Sequence, residues 1–89
     1  MIFFEKINAA FIEEDLEGLI EEGAPLDEYS SEAQSVAEAL AKIPDEKLTA
    51  SVVAATIAFV WAKNFDISAA EMEQRLPACQ RLAEKLLTS

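Results

Sequence analysis

The chain contains no histidine and a single cysteine, Cys79. Without imidazole, Ser-His-Asp and Cys-His nucleophilic sites cannot be built. Zinc sites with imidazole ligands are excluded for the same reason, and one thiolate cannot cage the metal. Di-iron bundles of the ferritin kind need Glu-x-x-His motifs and fall with them. Cys79 has no partner for an intrachain disulfide, which fits a reducing, cytoplasmic setting. Glycine is nearly as scarce: Gly18 and Gly23 are the only two, so no phosphate-cradling loop exists. With three prolines besides, turns are too few for a small all-β fold.

Basic residues are also short, seven Lys/Arg against seventeen Asp/Glu, for a net charge of −10. Nucleic acid is therefore a poor partner, because neutralising phosphates takes clustered cations. Long apolar runs are missing too. The longest, residues 52–62, is broken only by Thr56 and falls well short of the roughly 20 residues of a membrane-spanning helix. Met1-Ile2-Phe3-Phe4-Glu5-Lys6 has neither the basic lead nor the continuous apolar stretch of a secretory signal. What is abundant is apolar side chain, 52% of 89 residues. That is too much for a disordered acidic tail and enough for one core, so residues 1–89 are expected to form one domain.

Apolar residues recur at helical spacing throughout. Phe4, Ile7 and Phe11, widened by Phe3, Ala10 and Ile12, predict a first helix over about 3–14. Asp15 then reads as the N-cap of a short second helix carrying Leu16, Leu19 and Ile20. Gly23 stands where a C′ residue belongs, with Pro25 two positions on. A third helix is expected from about 27–31, with Ala33, Val36, Ala37 and Leu40 on its apolar face and Pro44 at its end. A fourth, over about 48–63, has Thr49 or Asp45 as cap. Val52, Ala55 and Phe59 form one apolar face and Val53, Ile57, Val60 and Trp61 another. A helix apolar nearly all round is expected to be the buried centre of the fold. Ser68-Ala69-Ala70-Glu71 matches a capping box, and Met72, Leu76, Cys79, Ala83 and Leu86 keep one helical phase behind it. Pro77 interrupts that phase, so the C-terminal helix is expected to kink near it or to split in two. The reading is an all-α, compact bundle of four to five helices.

Charge is unevenly spread. Residues 1–46 carry −11 and residues 47–89 carry +1, and between residues 13 and 32 nine acids occur without a base. Those acids are Glu13, Glu14, Asp15, Glu17, Glu21, Glu22, Asp27, Glu28 and Glu32. Acids at helix starts answer the macrodipole, and an acidic face keeps a small protein in solution. Glu21 and Glu22, however, fall at the carboxyl end of the expected second helix, where the dipole opposes them. The other reading is a face that docks on a positively charged protein, with encounter rates raised about 10–1000-fold at low salt.

The segment from Asp15 to Glu32, with Gly23-Ala24-Pro25-Leu26-Asp27-Glu28-Tyr29-Ser30-Ser31-Glu32 at its end, resembles the small helical bacterial proteins of the domain-of-unknown-function family 1871, whose pattern runs Asp-Pro and an apolar pair, then Gly-Ala-Pro-x-Asp-Glu-Tyr with a Glu three residues on. Leu16 stands where that pattern has Pro and Ser30 where it has Asp. Gly23, Ala24, Pro25, Asp27, Glu28, Tyr29 and Glu32 carry the likeness. It implies an all-helical fold of similar size and no particular activity. Structurally, Gly23 would end one helix, Pro25 would fix a connector, and Asp27 or a nearby Ser would cap the next. Tyr29 would bury its ring while its hydroxyl met a backbone or carboxylate partner. Functionally, Asp27, Glu28, Tyr29 and Glu32 would be an exposed recognition patch.

The function expected from these features is a non-enzymatic protein-interaction module, of the kind acidic inhibitors and immunity proteins exemplify, with no cofactor and no metal. Its partner-binding residues would be the nine acids above together with Tyr29. The alternative is a structural subunit of a homo-oligomer, a homodimer with Met72 and Leu76 along the seam. An acyl-carrier role needs a Ser in an Asp-Ser-Leu setting, which Ser30, Ser31, Ser35, Ser51 and Ser68 all lack. Carboxylates at helical spacing, such as Glu17 and Glu21, would hold a divalent ion only weakly. Cys79, Trp61 and Phe65 are read as core residues.

Overall fold

Ile7, Ala10 and Phe11 share one side of helix α1 (Phe4–Glu14) and are buried there. The helix stops because Asp15 turns left-handed, at φ 48°, while its amide closes the last turn on Phe11 O at 2.8 Å. Asp is among the few residues other than Gly that take this conformation readily. A computed structural model provides the fold, with residues 2–25 and 27–88 described. Leu26, part of the expected connector, lies outside the described residues.

Helix α2 (Ser30–Ala41) buries Ala33, Val36 and Leu40, and the chain leaves it three residues before Pro44. A short 3-10 turn, Asp45–Lys47, leads to Thr49. The Thr49 hydroxyl accepts from the Val52 amide at 3.3 Å and starts α3 (Ala50–Phe65). Thr49, not Asp45, is therefore the cap. Helix α3 ends at Asp66, again left-handed at φ 50°. Only residues 66–68 separate it from α4 (Ala69–Leu87). The Ser68–Glu71 capping box is formed in both directions.

The four helices make a ring: α1 and α3 each pack against both α2 and α4. Lys6 bonds Thr88, Glu13 pairs with Lys85 and Glu14 with Arg81, so α1 and α4 run antiparallel. Ile7, Phe11, Val36, Leu40, Val53, Ile57, Trp61, Leu82 and Leu86 meet in the middle. Fully burying a side chain of this kind contributes about 1.5–3 kcal/mol. The radius of gyration, 12.2 Å, is that of a close-packed chain of this length, about 12 Å. Among the described residues no strand forms and no helix is long and apolar enough to cross a membrane.

Three expectations require correction. Residues 15–22 do not form a second helix; they make successive turns with a single helical turn, Glu22 N to Gly18 O at 3.1 Å. Gly18, at φ 72°, breaks the helical path that Leu16, Leu19 and Ile20 would have shared. Helix α3 is not buried all round either. Val53, Ile57, Val60 and Trp61 face the core, whereas Ala55 is exposed and Phe59 is 71% exposed. A ring of only four helices leaves each one an outward side. Phe3, counted with the apolar stripe of the first helix, is 65% exposed, and Leu76, in phase with the apolar side of α4, is 46% exposed. Helix α4 runs unsplit from Ala69 to Leu87, with the exposed Pro77 inside it.

Candidate functional site

The acidic residues divide into those that fasten the chain to itself and those left in water. The fastening begins at Asp15. Because its backbone is left-handed, its side chain folds back over the turns that follow. Oδ1 accepts from the Ile20 amide at 3.0 Å and Oδ2 from the Glu21 amide at 2.9 Å. The Tyr29 hydroxyl donates to Oδ1 at 2.7 Å. Burial pushes the Asp15 carboxyl up, but these bonds outweigh it and hold the carboxyl below its ordinary range. Asp15 does act as a cap, on turns five and six residues downstream and not on a helix of its own.

Tyr29 is fully buried. Its hydroxyl donates to Asp15 and accepts from the amides of Glu17 at 3.2 Å and Leu19 at 3.3 Å. One donor and two acceptor sites are thereby filled, which is all that a phenol offers. Burial, with the Asp15 bond adding to it, raises the Tyr29 phenol to about 12. The ring lies 5.4 Å from Trp61 and 6.5 Å from Phe65, centroid to centroid. Trp61 in turn meets Phe11 edge-on at 5.1 Å. The motif tyrosine is thus a core residue with a polar tip, not part of an exposed patch.

Glu17 ties the same segment to two helices. Oε2 accepts from the Trp61 indole at 2.7 Å and from Arg75 Nε at 2.6 Å, while Oε1 accepts from Arg75 Nη2 at 2.8 Å. The Arg75 bonds are the main cause of a carboxyl held below its ordinary range, with the indole bond adding to it. The segment closes at Gly23. There φ is 104°, and Gly23 N to Ile20 O at 3.0 Å with Ala24 N to Leu19 O at 2.9 Å form a Schellman motif. Gly23 is a C′ residue as its position suggested, although the helix it ends is one turn long.

Of the remaining residues in the expected site, Glu32 is 8% exposed and accepts from Asn64 Nδ2 at 3.1 Å. Glu14 pairs with Arg81 at 2.7 Å and Glu13 with Lys85 at 2.6 Å. The acidic front therefore does not face water as a continuous surface, because Arg75, Arg81 and Lys85 of α4 are spent on it. Among the described residues, Glu21, Glu22, Asp27 and Glu28 alone of the ten stay exposed without a cation on the side chain. Asp27 does not cap α2 with its carboxylate: the helix has no side-chain cap, and Ser30 Oγ donates to the Asp27 carbonyl at 2.8 Å.

Trp61 and Arg75 are the members of this constellation that sequence reasoning left out of the site. Their long separations from Glu17 carry no local signal, though Arg75 is the one cation in the first two turns of α4. Among the described residues no group of three potential ligands could hold a metal ion. Burial raises the Cys79 thiol to about 11, and with Tyr29 near 12 neither group is moved toward the neutral range that proton transfer needs. A shallow hollow beside the start of α2 is lined by Phe4, Ser30, Ser31 and Gln34, with no charged side chain. No protein-family model, curated protein or solved structure matches this chain.

Proposed function

We propose that this protein is a non-enzymatic interaction module that docks on a basic protein surface, in the manner of an acidic inhibitor or immunity protein. The carrying observation is the quartet Glu21, Glu22, Asp27 and Glu28, exposed and unmatched among the described residues of a chain of net charge −10. Its setting supports the reading. Asp15, Glu17 and Tyr29 hold the start of the connector in place, so Glu21 and Glu22 are presented on ordered backbone and less conformational freedom is lost on docking. A cytoplasmic location fits the buried single thiol, and the likeness to family 1871 adds no activity to the account.

The test uses three baits: the natural chain, a connector variant (Glu21→Gln, Glu22→Gln, Asp27→Asn, Glu28→Gln), and a charge-matched control (Glu5→Gln, Glu46→Gln, Glu73→Gln, Glu84→Gln). A basic protein retained at low salt by the natural chain and the control, and lost by the connector variant, is the expected result. Recovery of no basic protein at low or moderate salt, or equal loss with the control, overturns the proposal.

The homo-oligomer reading is favoured by a different feature, the outward row of Val52, Ala55 and Phe59 on α3, a helix with no acid of its own. Sedimentation across a concentration range decides it: a monomer throughout removes the homo-oligomer.

A further inference from the structure

Residues 15–24 differ from the rest of the molecule in how they are held. They begin at a left-handed Asp15, pass the positive-φ Gly18 and the positive-φ Gly23, with one helical turn between, and close with the Ala24 amide on Leu19 O. Their apolar side chains, Leu16, Leu19 and Ile20, are only partly buried, whereas the helices meet over fully buried Ile7, Phe11, Val36, Ile57 and Leu82. The hydrogen bonds that shape and fasten the segment converge on two carboxylates and one phenol, the two amide bonds to Asp15 lying within the segment and the others tying it to the helices. Asp15 takes the Tyr29 hydroxyl and two amides, Glu17 takes the Trp61 indole and the Arg75 fork, and the Tyr29 hydroxyl takes the amides of Glu17 and Leu19.

We propose that residues 15–24 form an acid-releasable strap over the aromatic cluster: protonation of Asp15 and Glu17 unfastens it from Tyr29, Trp61 and Arg75 while the four helices stay folded. Local opening of a weakly packed unit below the global transition is an ordinary property of folded chains. Here the two units differ in what they depend on. The helical core is apolar, and its buried carboxylate, Glu32, bonds a neutral amide on α3. The helices' own ion pairs, Glu13 with Lys85 and Glu14 with Arg81, lie at the surface, where such pairs contribute little. The strap, apart from the two amides that donate to the Tyr29 hydroxyl, is fastened through ionised carboxylates.

The surroundings set the direction. Facing Glu17 from α4 are Arg75 and, more weakly, Glu71. From α3 it meets the uncharged Trp61 indole. Facing Asp15 are the Tyr29 phenol at the start of α2 and amides of the strap itself. On α1, Glu13 and Glu14 are taken by Lys85 and Arg81. Both strap carboxyls are held below their ordinary values, so the fastening is complete above those values and is lost as pH falls through the folded ones. The strap is closed at neutral pH and opens only in acid. The inference does not rest on the docking proposal, since it concerns the chain alone.

Trp61 is the only tryptophan and reports the strap directly. The full chain is titrated from neutral pH into acid while Trp61 emission, its quenching by acrylamide and far-ultraviolet ellipticity are recorded together. The expected result is a red-shifted emission and a several-fold rise in quenching at a higher pH than the loss of helix. Glu17→Gln should show the shifted emission already at neutral pH, with helical signal retained. Coincident loss of Trp61 burial and helix in the natural chain overturns the proposal. So does a Glu17→Gln protein with unaltered emission at neutral pH, or one that loses helix and emission together.

Discussion

Replacing Tyr29 with Phe keeps the buried ring against Trp61 and Phe65 and deletes one oxygen. That oxygen makes three bonds, one of them to a carboxylate at 2.7 Å. A hydrogen bond made by a buried hydroxyl contributes about 0.5–1.5 kcal/mol net. The Glu17 and Leu19 amides would also lose their acceptor, at about 1 kcal/mol or more each if water does not reach them. Because the segment is half-buried, partial rehydration is expected, and the net loss should be about 3 kcal/mol. For a chain of this size each kcal/mol moves the melting temperature by about 4–8 °C, so a drop of roughly 12–24 °C follows. The urea slope separates the two ways of losing this stability: it stays unchanged if the segment remains closed in the variant, and falls if the segment has already opened. The loss should also depend on pH. Asp15 is held below its ordinary range in part by this hydroxyl, so the gap between the two proteins is full at neutral pH and narrows as acid protonates Asp15. A loss under about 0.5 kcal/mol, or one independent of pH, would refute the role given to the hydroxyl.

Asn8 buries its Oδ1 without a partner among the described residues, so Asn8→Leu should leave stability unchanged or raise it by about 1 kcal/mol, read from the urea midpoint. Phe59→Ser should move stability by less than about 0.5 kcal/mol in the monomer, because its ring stands in water; a larger loss would mean that the face is covered in solution. The Cys79 thiol, buried and raised to about 11, should resist Ellman's reagent in the native protein at neutral pH and react at once in denaturant.

The helices were legible because their signals are local. Thr49 and the Ser68–Glu71 box cap the helices that they announce, and Gly23 ends its turn with the bonds expected of a C′ residue. The segment after α1 misled because Leu16, Leu19 and Ile20 fit a helix as well as they fit turns. What decides between them is a hydroxyl on Tyr29, more than ten residues on, which no local pattern encodes. Gly18, in the middle of the expected helix and costly there by about 1 kcal/mol, was the available warning. The site was harder to read. Which acids face water depends on where α4 lies, and Arg81 and Lys85, four residues apart on one face of it, meet Glu14 and Glu13 only in the folded chain. The Val52–Ala55–Phe59 row was misplaced because apolar composition alone does not tell a central helix from one with an outward side.

The division between fastening and free carboxylates is the centre of this account, and site-resolved carboxyl titration by carbon-detected NMR tests it most directly. Asp15 and Glu17 should titrate below their ordinary values of about 3.9 and 4.3, in step with the Trp61 indole proton that Glu17 holds. Ordinary or raised values at both, with an indole resonance indifferent to either, would contradict it.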